Sequence, residues 1–348
     1  MKLSWLKALT GFILAAALTA PAMAANTAQP GTLNFIEGQA SIQGLQSNDV
    51  QSNDLQANVQ QLTSKSVGTA DLQPGQTLTT SADGRAEVLL TPGVFLRLDH
   101  SSAVKMISPS LTDTQVQLEK GRAEVEVAQL YKQNDIQVLQ DNAKTRLDKV
   151  GLYDFSADDN QVRVFKGEAL VTTGDKDIKV KEGHELTLNE PKLKATSFDK
   201  KADENDFYNW SSLRSQYLSD ASANAAQVYI GGAGWNGPGW YWSPYFADYT
   251  FLPGAGLFYS PFGPWGYYSP AFIYSYGPAF GFYGGPVYWR GPYVHPGLGF
   301  RYDHPIAPHG FVGGPHFAGP RFGGPAGFHG GPPMHAAMGF HGGGGFRR

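Results

Sequence analysis

The chain has 348 residues, a net charge of −3 and no cysteine, which excludes a disulfide framework, Cys-ligated zinc, a thiol nucleophile and a Cys-linked lipid anchor. It has no dense basic face, so strong duplex binding is excluded and no nucleic-acid partner is expected. Composition divides the chain: residues 226–348 hold 30 of the 43 glycines, 17 of the 23 prolines and seven of the nine histidines, with no Lys and no Glu.

Residues 1–24 carry Lys2 and Lys7, then an apolar run over 8–20, then Ala22-Met23-Ala24. A positive start, a short apolar stretch and an A-x-A site predict a secretory signal peptide. The run is shorter than the ~20 residues needed to span a bilayer. The mature protein is therefore expected to be exported, periplasmic or secreted at a bacterial envelope, with no transmembrane segment once the signal is removed.

Residues 31–200 predict an all-β domain of antiparallel, hairpin-rich, barrel- or sandwich-like form. Alternating apolar runs meet short turns with a charged residue and Gly, at Gly38, Gly84, Gly121, Gly167 and Gly183. Gly93 follows Thr91-Pro92 in a sixth turn. Gly accepts positive φ without a Cβ clash, so each is expected to close a tight hairpin. VQLEKGRAEV (116–125) and VRVFKGEALV (162–171) repeat one pattern. In the first, Val116, Leu118, Ala123 and Val125 face one way and Gln117, Glu119, Glu124 and Glu126 the other. The second set is expected on a solvated face. Residues 45–66 are polar and repeat SND, which predicts a surface insertion loop.

These motifs resemble the extracytoplasmic FecR domain, in a stand-alone exported form. The resemblance covers about residues 31–190. Its pieces are GTLNFIEGQASI, LQPGQTLTTSADGRAEVLL, FLRLDHSSAVKMI, VQLEKGRAEVEV, VRVFKGEALV and VKEGHELTL, in the family's order. It implies a β-rich module. Family members relay an outer-membrane receptor signal to a cytoplasmic sigma factor, so a regulatory role in such control is the alternative it implies. Neither an N-terminal anti-sigma segment nor a transmembrane helix is expected in this chain, which is where it departs from the family.

Residues 203–224 change period. Phe207, Trp210, Leu213, Tyr217 and Leu218 recur at three to four and predict one amphipathic helix, with Asp203 as N-cap. The stretch 226–348 predicts a low-complexity tail, partly collapsed over 235–290 and disordered over 291–348 because Gly and Pro are so frequent. FLPGAGLFYSPFGPWGYYSPAF (251–272) is broken too often to predict a helix or a regular sheet. Phe207, Trp210, Tyr217, Trp235, Trp240, Trp242, Trp265 and Trp289 form a candidate contact surface for an envelope protein, a polysaccharide or a second copy of the tail.

Catalytic groupings are few. Asp99-His100-Ser101-Ser102 holds the residue types of a triad, but sequence neighbours rarely make one. GAGWNG (232–237) matches a dinucleotide fingerprint, yet Pro238 and Pro244 stop any helix from following. His295, His304, His309, His316, His329, His335 and His341 lack helical ligand spacing and are at most weak metal candidates. The expectation is a non-enzymatic exported binding or scaffold module without cofactor.

Overall fold

The computed structural model describes residues 28–44, 58–232 and 234–276. The expected signal peptide, most of the 45–66 insertion, the tail histidines and Trp289 lie outside the described residues.

The body is built from β1 (Leu33–Glu37), β2 (Ala40–Gly44), β3 (Asn58–Leu62), β4 (Thr77–Thr80), β5 (Arg85–Leu89), β6 (Val94–Leu98), β7 (Ala103–Ser110), β8 (Asp113–Lys120) and β9 (Arg122–Val127). It continues with β10 (Ile136–Gln140), β11 (Ala143–Leu147), β12 (Gly151–Ser156), β13 (Gln161–Lys166), β14 (Glu168–Thr173), β15 (Lys176–Lys181), β16 (His184–Thr187) and β17 (Thr196–Ser197). Two sheets result. One has eight strands in the order β1-β5-β6-β9-β12-β13-β16-β17, and the other nine in the order β15-β14-β11-β10-β8-β7-β4-β2-β3. They face each other across one apolar core and do not close into a barrel. Every pairing within them is antiparallel except β8 with β10, which is parallel.

The charged-residue–Gly turns do a different job from the expected one. Gly38, Gly84, Gly121, Gly167 and Gly183 all lie where the chain leaves one sheet and enters the other. Gly121 alone separates β8 from β9, and Gly167 alone separates β13 from β14. One residue is too few for a hairpin, but enough for a glycine bend at a sheet corner. At Gly121, with φ +72°, an added Cβ would strike the Ser102 hydroxyl. Gly84 does not have positive φ; it is required because a Cβ there would strike the Gln39 carbonyl. Of the six turns only Gly93, between β5 and β6, closes a hairpin within a sheet. The other hairpins close without those glycines, as at Asp141 (φ +50°) between β10 and β11.

These corners change the meaning of the alternation. Val116 and Leu118 point into the core from the nine-stranded sheet, while Ala123 and Val125 point into it from the eight-stranded one. Gln117 and Glu124 therefore belong to opposite outer faces. Part of the expected 45–66 loop is also strand: β3 pairs with β2, and only its Leu62 reaches the core. A polar edge strand leaves too little periodicity to recognise.

After the body comes α1 (Asp206–Val228), whose N-cap is Asn205, not Asp203: the Asn205 side chain accepts a hydrogen bond from the Tyr208 amide at 3.1 Å. The aromatic stretch is ordered. It forms β18 (Gly239–Ser243) with β19 (Asp248–Leu252), β20 (Leu257–Tyr259) with β21 (Gly266–Tyr268), and the short helix α2 (Pro270–Tyr276). The expectation of neither helix nor sheet over 251–272 is thus corrected. Gly and Pro sit in the connections at 253–256 and 261–264, and the rings between them bury enough apolar surface to offset the entropy of ordering.

Candidate functional site: the covered face of the eight-stranded sheet

Side chains of the eight-stranded sheet that point away from the core make one line across seven strands. Register places Phe35 beside Glu87, Glu87 beside Arg97, Arg97 beside Glu124, Glu124 beside Asp154, Asp154 beside Arg163, and Arg163 beside Glu185. Next to it, Leu89, Phe95, Glu126 and Leu152 form a mainly apolar line. Alternation made this face polar, and the expectation was water. Instead Glu87, Arg97, Glu124 and Glu126 are completely buried and Asp154 nearly so. The solvated placement of Glu124 and Glu126 is corrected: a second layer, α1 with its two hairpins, covers them.

Charge pairing makes that burial tolerable. Arg97 Nε donates to Glu87 at 2.8 Å, and its Nη2 lies 2.8 Å from Glu126. From the covering layer, Arg214 donates to Glu87 at 2.9 Å and to Asp248 at 3.1 Å, with its guanidinium 4.0 Å from the Phe35 ring centre. Asn34 also donates to Glu87, at 2.9 Å. Burial works against the Glu87 charge, but Arg214 and Arg97 outweigh it and hold its pKa below the ordinary value. Asp248 has less support, and burial pushes its pKa up to about 7 despite Arg214. Arg122 bonds to Asp154 at 2.6 Å, and Arg163 joins Asp154 to Glu185.

A stripe of serines fixes the cover. Ser211, Ser215, Ser219 and Ser222 occupy one face of α1 and are all buried. Ser215, Ser260 and Tyr267 each donate to one oxygen of Glu126, at 2.9, 2.8 and 3.2 Å. Ser219 donates to the Gly266 carbonyl and accepts from its amide, and Ser222 bridges the Phe251 carbonyl and the Tyr268 amide. Small side chains let the hairpin backbones approach the helix, and hydroxyls satisfy backbone groups that water would otherwise serve. Spacing of four, four and three residues marks this face in the sequence, but serine does not register as apolar periodicity.

The rings expected to form a contact surface are mostly internal. Phe207 and Trp210 are buried against Arg85, and Trp210 donates to Glu37 at 2.7 Å. Trp240 and Trp242 pack on the cluster of Leu89, Phe95, Tyr249, Phe251 and Tyr267, and Trp265 donates to Ser215 at 3.1 Å. Trp235 stacks on Tyr241 with ring centres 5.1 Å apart. Tyr217 is 40% exposed and meets Phe246. Proximity to a large, partly apolar sheet face explains the inward turn: intramolecular burial needs no partner.

Asp99, His100 and Ser102 are a corner lock. Ser102 donates to the His100 carbonyl and accepts from the Arg122 amide, His100 contacts the Gly84 carbonyl, and Asp99 pairs with Arg85. Among the described residues no group of three or more His, Asp or Glu is placed to hold a metal ion, and no helix is long and apolar enough to cross a membrane.

Residues 76–170 match the family model for FecR protein. Over these residues the chain is similar to the FecR family. The matched stretch supplies the sheet side of the site, from Glu87 to Arg163, whereas α1 and the aromatic hairpins lie outside the match. Two crystal structures of a candidate anti-sigma factor from Parabacteroides distasonis ATCC 8503, at 2.50 and 1.65 Å, are similar at 14% identity and a TM-score of 0.32. The similarity covers 36% of this chain and 61% of that one, so this chain spans less than two thirds of their length. No curated protein matches the sequence.

Proposed function

We propose that the protein is a non-enzymatic, exported FecR-type binding or scaffold module of the cell envelope, presenting the outer face of its nine-stranded sheet to a protein partner. One observation carries this reading: the two sheets are treated oppositely. The eight-stranded face is sealed by the chain's own covering layer, while the nine-stranded face keeps a line of partly or fully exposed polar and charged side chains among the described residues. That line runs through Lys105, Gln117, Lys144 and Thr172, aligned by register through Leu139. Export rests on residues 1–24. Adhesion or partner contact through the low-complexity tail falls to residues 277–348, since 239–276 are occupied within the fold.

Capture from envelope fractions tests the reading, with the mature chain, a chain ending at residue 276, and a full-length variant carrying Lys105→Glu, Lys144→Glu and Arg146→Glu. A specific partner captured by the first and lost from the third supports it. Equal capture by all three removes both the proposed face and the tail role.

A regulatory role in sigma-factor control is the second reading, favoured by the FecR match itself. A sigma-factor or receptor gene beside this one would raise it, and a coupled change in sigma-dependent transcription on deletion would establish it. An unchanged transcript profile would remove it.

A further inference from the structure

The line of charges across the covered sheet contains one place where like meets like. Glu124 and Asp154 stand directly opposite on β9 and β12, a spacing of about 4.5–5.5 Å between Cβ atoms at which two carboxylates repel. Their surroundings are unequal. Asp154 is held by Arg122 at 2.6 Å and lies 3.6 Å from Arg163. Both oxygens of Glu124 are buried without a hydrogen bond of regular geometry. The group above it is Ser211, in the second turn of α1.

We propose that Glu124 and Asp154 share one proton beneath α1, and that loss of this proton releases the first turns of α1 from the sheet. The two carboxylates cannot both ionise cheaply in a dry site with the nearest guanidinium already engaged by one of them. A neutral Glu124 removes the repulsion between the two carboxylates. An ionised Glu124 places a second negative charge under the helix, and the lowest-cost response is to admit water by lifting the segment above it.

The remaining charged and titratable neighbours are distributed as the proposal needs. On the sheet, Arg97 of β6 pulls Glu124 toward ionisation but is committed to Glu87 and Glu126. Arg122 of β9 is committed to Asp154, and Arg163 of β13 is shared between Asp154 and Glu185 of β16. From the covering side come Tyr208 of α1, which senses the Glu124 charge, and Asp203 in the approach to α1, which acts on Asp154. Tyr208 is neutral and Asp203 negative, while Arg214 of the covering layer is committed to Glu87 and Asp248. Burial, then Asp154, push the Glu124 pKa up to about 8, with Ser211, Arg122 and Arg97 opposing. Burial also raises that of Asp154 against Arg122 and Arg163.

Release would expose Phe207 and Trp210, which lie in the same two turns and are now sealed against Arg85. The device thus couples proton loss to the uncovering of an aromatic surface, and leaves the serine-locked C-terminal half of α1 in place.

Amide hydrogen exchange on the mature full chain tests this. Between about pH 6 and about pH 9, and after division by the intrinsic chemical rate, opening of residues 206–214 should increase by at least about tenfold. Residues 219–226 and the strands beneath should not follow. Glu124→Gln, which keeps shape but cannot ionise, should abolish the increase. Should that variant fail to fold, Asp154→Asn serves instead: by removing the neighbouring charge it should move the transition to lower pH. Opening that is independent of pH, that spreads uniformly over α1, or that persists unchanged in both variants would overturn the proposal.

Discussion

The outer faces of the two sheets began with similar chemistry and met different ends. Both alternate polar and charged residues outward from a shared apolar core. On the nine-stranded sheet Lys105, Lys144 and Arg146 remain partly or fully exposed, as alternation implies. On the eight-stranded sheet Glu87, Arg97, Glu124 and Glu126 have no exposure at all. The difference comes from sequence some eighty to a hundred and forty residues further along, which folds back as α1 and two hairpins. Polarity of an outward position therefore does not establish that water covers it; a covering layer with matching charges can do so.

Removing a charge on each face gives the widest separation. Arg97→Ala leaves Glu87 and Glu126 buried without their shared cation and should cost about 3–5 kcal/mol, measured as a shift in urea midpoint. The same cut at Lys105, on the open face, should stay within about 0.5 kcal/mol. Comparable losses at the two positions would mean that the covering layer does not seal the charged line.

pH sharpens the contrast next. Glu124, raised from 4.5 to about 8, and Asp248, raised from 3.8 to about 7, bind protons more tightly folded than unfolded. Their contribution is complete below the unfolded values and is lost as pH rises toward the folded ones, so stability should fall by an amount on the order of a few kcal/mol between about pH 4.5 and about pH 8. Glu87 is lowered and works in the opposite direction, losing its contribution as pH falls below the ordinary glutamate value of 4.5. A urea series across this range should show the decline, and Glu124→Gln should flatten part of it. A stability that rises over the same interval would refute the assignment of Glu124 and Asp248 as raised.

Smaller effects probe how the layers are joined. Gly121→Ala forces a Cβ toward Ser102 at positive φ and should cost about 1–3 kcal/mol. Gly174→Ala, also at positive φ but with open space around it, should cost less, about 1 kcal/mol. Equal costs would show that corner crowding plays no part. Asn205→Ala removes the α1 cap and should cost about 1 kcal/mol, with increased amide exchange confined to the first turn of the helix.

Much of the body was legible. Alternation in VQLEKGRAEV and VRVFKGEALV located strands and core residues, because a strand's side-chain period survives whatever the strand packs against. The FecR resemblance rested on the same stretches. Less legible was what the glycines accomplish: a Gly between two alternating runs is compatible with a hairpin or a corner, and only pairing distinguishes them. The covering layer was least legible. Its helix was visible through Phe207, Trp210 and Leu218, but the rest of its buried side is serine, alanine and Arg214, which carry little hydrophobic signal. The hairpins at 239–268 were obscured by Gly and Pro, whose effect depends on whether they fall in a strand or between strands.

By itself the sequence determined an all-β body with strands near their observed positions, a helix after it and a compositional break after that, since these follow from local period and backbone preference. The tertiary structure decided that the glycines turn corners, that the aromatic stretch folds inward, and that one line of glutamates and arginines becomes a buried network. Each of those outcomes depends on groups distant along the chain arriving at the same place, where burial and charge neutralisation are paid jointly.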